Sequence, residues 1–376
     1  MGTARGANPS GAWNRHGSSL EARDMTRSRD IRFAILGAGV AADYHRQAIA
    51  ANEDQGARLS AVGHYDRARF DEISARFDVP CVRYETILSD PDVDCICICT
   101  PSGQHEEQAV TAAVAGKHVL VEKPMTLTLD GADRMIAACI EAGSRLGVVL
   151  QRRATPLFER IKEAVAGGHL GELTLGAVTL PYYRPQSYYG QAAWRGTWAM
   201  DGGGVLMNQG IHLVDLLVWM MGDPVETAAY ADTLARDIEV EDTLAAVLRF
   251  AGGAMATITA TTTTRPGFPH RLELYGSDGG IELQGETIRR WELGGGTGPG
   301  PEPPTDEGCS DAGAAASPRG ISPTGHTKIM QDFIEAVRVG RAPMVDGAEG
   351  RRSLETVLTI YDAAELNHGK GDRTRV

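Results

Sequence analysis

The sequence predicts an α/β protein. Its first half reads as a Rossmann-like doubly wound parallel sheet, and its second as an α/β domain with a large, mainly antiparallel open sheet. Three observations lead there. Short apolar runs alternate with helical patterns between residues 31 and 150. The first run, 31–36, passes through a glycine-rich turn straight into a helical pattern. After Arg153 the texture changes, and strand-like segments follow one another with few helices between them. At 376 residues the chain exceeds one ordinary core. The expected division is a disordered tail at 1–29, a first domain at 30–151 and a second at 152–376.

Composition narrows the partners. Hydrophobic residues make up 42% and charged ones 23%, an ordinary globular balance. A net charge of −12 and a pI near 5.3 argue against nucleic acid or an anionic membrane as the main partner. No apolar run approaches the roughly 20 residues that cross a bilayer. The tail is rich in Gly, Ala, Ser and Arg and lacks the apolar centre of a secretory signal. Cys95, Cys97 and Cys99 alternate along one apparent strand as small hydrophobes, which fits a reducing cytoplasm. Metal-ligand spacing is absent from the sequence, so no metal is expected.

Each element of the first half has its own signal. The opening strand hands over to Gly37-Ala38-Gly39-Val40-Ala41-Ala42, and a helical pattern runs on through Ala51. Strand, glycine turn and helix in that order cradle a pyrophosphate. Gly37 permits the tight turn, and Gly39 lets the backbone approach the phosphates. Val40 and Ala41 begin a helix whose unpaired N–H groups face the anion. A second strand at 59–63 ends where an acidic residue usually grips the adenosine ribose. His64 and Asp66 are the candidates for that place. If His64 takes it, the carboxylate that favours NAD is missing and Arg67 can accept a 2′-phosphate, so the cofactor is NAD or NADP. Helix 67–77, strand 94–100, helix 104–115, strand 117–121, helix 129–142 and strand 146–150 continue the alternation. Ligands of such sheets bind beyond the carboxyl ends of the strands. Thr100-Pro101 with His105, and Glu122-Lys123-Pro124, lie there and read as cofactor-binding.

In the second half a helix at 156–166 precedes strands at 173–180, 226–231, 243–250, 254–262, 271–275 and 280–283. Residues 294–325 are rich in Gly, Pro and Ala and read as a long flexible loop. Helices at 327–339 and 348–366 return to brace both domains. The most informative stretch is Asp201-Gly202-Gly203-Gly204-Val205-Leu206-Met207-Asn208-Gln209-Gly210-Ile211-His212-Leu213-Val214-Asp215. It predicts one long helix running to Met221 and stopped by Gly222. Asn208 and His212 share a face, with Asp215 at its border. The glycines allow another backbone, or a ligand, to come close.

Together these residues resemble the glucose–fructose oxidoreductase, inositol dehydrogenase and rhizopine catabolism (Gfo/Idh/MocA) family of nicotinamide-dependent sugar oxidoreductases. The likeness spans about 31–364. It includes the glycine turn, Thr100-Pro101 to His105, Gly116-Lys117-His118-Val119-Leu120-Val121-Glu122-Lys123-Pro124, and Gly202-Gly203-Gly204 with Gly210, His212 and Asp215. Glu241-Asp242-Thr243 and the run 343–354 complete it. The resemblance implies a Rossmann domain, then an α/β domain whose open sheet builds homodimers or homotetramers. It implies a small sugar-like substrate, with Lys123 and His212 flanking the reacting carbon. Many relatives carry aspartate where this chain has Asn208, which can hydrogen-bond but cannot take a proton. The Asn-Gln-Gly-Ile-His form looks most like members acting on nucleotide-linked or amino sugars.

The chemistry suits those residues. An unperturbed imidazole titrates near ~6.5, so His212 can take a hydroxyl proton. Lys123 supplies positive charge where alkoxide character develops. Asn208 can orient the same hydroxyl, and Asp215 either fixes the histidine tautomer or serves as a cap. The segment Tyr182-Tyr183-Arg184-Pro185-Gln186-Ser187-Tyr188-Tyr189, then Trp194-Arg195-Gly196-Thr197-Trp198, is dense in aromatics and arginine. Most of it reads as packing or subunit interface. Arg153, Tyr183, Arg184 and Trp194 are the expected substrate contacts. The alternative to a sugar dehydrogenase is a non-catalytic dinucleotide-binding sensor, against which retention of Lys123 and His212 argues.

Overall fold

A computed structural model describes residues 29–304 and 322–365. The expected tail, but for Arg29, and over half of the expected 294–325 loop lie outside that range. The first domain is built on β1 (Ile31–Leu36), β2 (Ala57–Gly63), β3 (Cys81–Val82), β4 (Cys95–Ile98), β5 (His118–Val121) and β6 (Leu146–Val148). Every pairing is parallel, in the order β3-β2-β1-β4-β5-β6. Strand order reverses between β1 and β4, which opens the crevice where dinucleotides bind in such sheets. Helices Val40–Ala50, Phe70–Phe77, His105–Val114 and Leu129–Glu141 connect the strands. Cys95, Cys97 and Cys99 are buried and unpaired, as small core residues. Strand β3 was not expected, because two residues carry no readable period.

The second sheet comprises β7 (Leu173–Pro181), β8 (Pro224–Asp232), β9 (Thr243–Phe250), β10 (Met255–Thr261), β11 (Arg271–Gly276), β12 (Gly279–Gln284) and β13 (Thr287–Leu293). Its order is β13-β12-β11-β7-β10-β9-β8, antiparallel except where β10 meets β7. Leu244, Ala246, Leu248, Ile258 and Ala260 point into the core, while Val247 and Met255 on the same strands are exposed. That alternation marks one covered and one open face. Edge strand β13 went unread because Arg289, Arg290 and Glu292 break its apolar pattern, as charges on an edge strand commonly do.

The two closing helices, Thr324–Val339 and Gly347–Ala363, pack against helices of the first domain, and the second of them also covers β8. Between them the Val345 carbonyl accepts from the Val148 amide at 2.9 Å. The expected single helix to Met221 is two pieces: a π-helical turn at Val205–Gly210 and an α-helix at Ile211–Met221. A π turn rotates the chain against its α-helical continuation, and such turns are frequent at functional sites.

Candidate active site

The glycine turn is shaped from below and open above. Gly37 has φ +93°, and a Cβ there would stand 2.6 Å from the Cys99 carbonyl oxygen, so the turn lies too close to the β4 exit for any side chain. Gly39 caps helix Val40–Ala50 without a side-chain hydrogen bond, and a Cβ built on it would meet nothing within 4 Å. Val40 and Ala41 form the half-buried first turn, and Ala42 is packed against the sheet. Uncapped amides facing vacant space fit a pyrophosphate.

Beyond β2 the residue at the strand exit is His64. Its Nδ1 accepts from the Asp66 amide at 3.1 Å, and its ring stacks on Tyr65 at 4.7 Å. Asp66 turns its carboxylate to the Ala68 amide at 3.0 Å, and Arg67 is exposed. An imidazole therefore occupies the strand exit, and the nearby carboxylate is engaged in a turn.

Lys123 leaves β5, and its Nζ donates to the backbone carbonyl of Asn208 at 2.7 Å. A residue of the first domain thus touches the π-helical turn of the second. His212 is the second residue of the α-helix that follows, half-buried, with a buried Nδ1 that finds no hydrogen-bond partner. Burial, then the charges of Lys123 and Arg152, hold the imidazole well below its ordinary pKa, so it is neutral at pH 7. Burial also lowers the Lys123 pKa against the opposing pull of the Glu122 and Asp201 carboxylates, with the charges of Arg195 and Arg184 adding to the lowering. Asn208 donates its side-chain amide to Asp201 at 2.7 Å, and Asp201 in turn accepts the Gly196 amide at 2.9 Å.

Comparison with known proteins decides the family. Residues 31–150 match an oxidoreductase family with an NAD-binding Rossmann fold, and residues 158–282 match the GFO/IDH/MocA C-terminal domain. The chain is 34% identical to the WlbA dehydrogenase of Bordetella pertussis, solved in complex with NADH and UDP-GlcNAcA. That likeness covers 90% of this chain and 97% of the other, with a TM-score of 0.78. It is 27% identical over 263 residues to inositol 2-dehydrogenase of Rhizobium meliloti, across 68% of this chain and 76% of that one. It is 33% identical to 1,5-anhydro-D-fructose reductase of Ensifer adhaerens, across 52% of this chain and 59% of that one. The chain belongs to the GFO/IDH/MocA family.

As a GFO/IDH/MocA oxidoreductase it uses NAD or NADP. Several residues read from its sequence nevertheless serve the framework. His105 was expected at the cofactor. It is buried, with one ring nitrogen 2.8 Å from the Pro124 carbonyl and the other 2.9 Å from that of Thr100. It ties the Thr100–Pro101 turn to the Lys123–Pro124 turn, and the Thr100 hydroxyl meets Gln108 at 2.6 Å. Glu122 was also expected there. Burial alone would raise its pKa, but hydrogen bonds from His326 and His45 hold it well below the carboxylate range. His45 Nε2 lies 3.1 Å away and the Lys123 amide 3.3 Å. The carboxylate thus anchors the start of the turn from beneath.

Arg153, expected at the substrate, is buried against Asp215 at 2.6 Å and also meets Glu349. Asp215 additionally accepts from the Ser353 hydroxyl, so it pairs with Arg153 and does not orient His212. The physical reason is the guanidinium: a buried cation needs its counter-charge more than an imidazole needs a tautomer lock. Arg184 is buried over the rings of Tyr182 and Tyr188, at 5.5 and 5.7 Å, and donates to the Tyr183 carbonyl at 2.8 Å. Tyr183 and Trp194 are half-buried, the first under Arg236 and the second under Arg195. Sequence reasoning gave no role to Asp201, Arg152 or Arg195. Asp201 opens the glycine run and Arg195 sits in the aromatic segment, yet neither has a spacing that announces a site.

Proposed function

We propose that this chain is an NAD(P)-dependent dehydrogenase or ketoreductase. It moves hydride between the nicotinamide and a secondary ring hydroxyl or ketone of a sugar, cyclitol or sugar nucleotide. The observation that carries this reading is the contact of Lys123 Nζ with the Asn208 carbonyl, beside a His212 that is neutral at pH 7. Gly37, Gly39, Val40 and Ala41 hold the pyrophosphate, while His64, Asp66 and Arg67 border the adenosine ribose. Thr100 and Pro101 line the crevice towards the nicotinamide. The bound dinucleotide supplies the hydride acceptor or donor. In the oxidising direction His212 takes the hydroxyl proton, and it returns that proton in the reducing direction. Lys123 stabilises negative charge on the reacting oxygen in both.

Around Lys123 the carboxylates of Glu122 and Asp201 act alongside the guanidiniums of Arg195 and Arg184, so the charge there is mixed. The 34% identity to a dehydrogenase bound to UDP-GlcNAcA supports a nucleotide-linked sugar in particular. The open face of the second sheet, with Tyr230, Val247 and Met255 exposed on adjacent strands, is the surface we assign to self-association as a dimer or tetramer.

The test is Lys123→Ala against a panel of UDP-linked sugars, free sugars and cyclitols, read by nicotinamide absorbance. Turnover should fall by about 10²–10³-fold, as when one stabiliser of a developing oxyanion is removed. NADH affinity, read by fluorescence, should stay within about threefold. Undiminished turnover would remove the mechanism.

A further inference from the structure

The glycine cluster at 202–204 is packed against two buried side chains, Glu241 and Tyr361. Glu241 Oε2 accepts the Gly204 amide at 2.7 Å, and Oε1 accepts the Leu206 amide at 2.9 Å. Between those two, the Val205 amide donates to the backbone carbonyl of Glu241 itself at 3.0 Å. The Tyr361 hydroxyl donates to Glu241 Oε1 at 2.7 Å and accepts the Met207 amide at 3.1 Å. Four consecutive amides, 204 to 207, are therefore satisfied from distant parts of the chain: 204 and 206 by the Glu241 carboxylate, 205 by the Glu241 backbone carbonyl and 207 by the Tyr361 phenol. Helix starts leave such amides unpaired, and buried ones are costly unless something accepts them. The next residue is Asn208, whose carbonyl holds Lys123 Nζ.

We infer that Glu241, with Tyr361, is a positioning residue: by gripping amides 204–207 it fixes the π-helical turn so that the Asn208 carbonyl meets Lys123 across the domain boundary. This rests on the reading of Lys123 given above but adds a residue that never touches substrate. A carboxylate suits the task because both its oxygens accept and every neighbour donates. Its glutamine isostere would set an amide N–H against the Gly204 N–H. Burial pushes the Glu241 carboxyl up to about 7, against the pull of the Leu206, Tyr361 and Gly204 donors. Tyr361 is the titratable side chain bonded to it, and burial holds its phenol well above the usual value.

The experiment compares full-length wild type, Glu241→Gln and Tyr361→Phe, each with saturating NADH. Hydrogen exchange of a peptide spanning 203–210 should quicken by about tenfold or more in Glu241→Gln, and by less in Tyr361→Phe. The second readout is the Lys123 pKa, followed by NMR of reductively ¹³C-methylated protein and assigned with Lys123→Arg. In Glu241→Gln it should move up towards its ordinary value as the turn loosens and water reaches the ammonium. A role in stability alone would lower the melting temperature and leave that titration where it was. Wild-type exchange and an unmoved Lys123 titration in a folded Glu241→Gln protein would overturn the inference. If Glu241→Gln does not fold, the same two results in Tyr361→Phe overturn it. Neither readout uses turnover, so the outcome is separate from that of Lys123→Ala.

Discussion

Two glycine-rich turns look alike in the sequence and do opposite things. At Gly37 and Gly39 the chain makes room above itself: the lower glycine presses on the Cys99 carbonyl, and the upper one faces vacant space. At Gly203 and Gly204 the room is filled by the protein. A Cβ on Gly203 would lie 2.3 Å from the Tyr361 hydroxyl, and one on Gly204 only 1.7 Å from the Glu241 carbonyl oxygen. The absence of a side chain says that something approaches closely. Whether that something is a ligand or another stretch of backbone is a property of the assembled fold.

Substitutions can break that contrast, beginning with the largest effect. Gly204→Ala forces backbone against backbone and should cost more than about 4 kcal/mol, the range reserved for severe core disruption. Denaturant melts, or failure to recover folded protein, would show it; a cost below about 1 kcal/mol would mean that the Glu241 carbonyl does not pack against Gly204. Arg153→Met comes next. It strands Asp215 in the core without its guanidinium and should cost about 3–5 kcal/mol. An unchanged melt there would return Arg153 to the list of substrate contacts.

A pH titration sharpens the comparison from the catalytic side. His212 is held well below its ordinary pKa, so kcat/KM should stay level as pH falls through about 6.5 and decline only beyond it. The same depression acts on stability. Below the unfolded value of about 6.5 the unfolded chain binds a proton that native His212 refuses. Its stabilising contribution is therefore complete above that pH and is lost as pH falls through the lower native value. A kcat/KM limb above 6.5 tracking His212 would contradict the burial described.

Gly39→Ala should have the smallest effect on stability, within about 0.5 kcal/mol, because nothing lies where the methyl would go. Its effect should fall on the cofactor instead, weakening NADH binding by about tenfold in a fluorescence titration. Equal losses of stability for Gly39→Ala and Gly204→Ala would erase the distinction between the two turns.

Much of the architecture was legible because it repeats. Ile31–Leu36 is a near-continuous apolar run of strand length, Thr243–Phe250 alternates its burial with the period of a strand, and the helices between such segments have their own period. Lys123 and His212 could be singled out because each sits at a marked place, one between a strand and a proline, the other after a glycine run. Elements without a period, such as β3 and the charged edge strand β13, could not be read. The π-helical turn was hidden for a related reason: its residues favour a helix, and composition does not say which hydrogen-bond ladder the helix will keep.

What the sequence determined by itself is local: which segments form strands or helices, where the chain must turn, and which side chains have the chemistry to hold a dinucleotide and move a proton. What only the tertiary structure decided is which groups meet. Arg153 and Glu122 have functional chemistry, yet each is held by side chains from remote segments, Asp215 and Glu349 for one, His45 and His326 for the other. Glu241 gave no sign of acting on residues 204–206, because hydrogen bonds between them exist only once the second sheet has closed over the helix. Pairing between distant residues depends on distance in the folded chain, and a list of residues carries no distances.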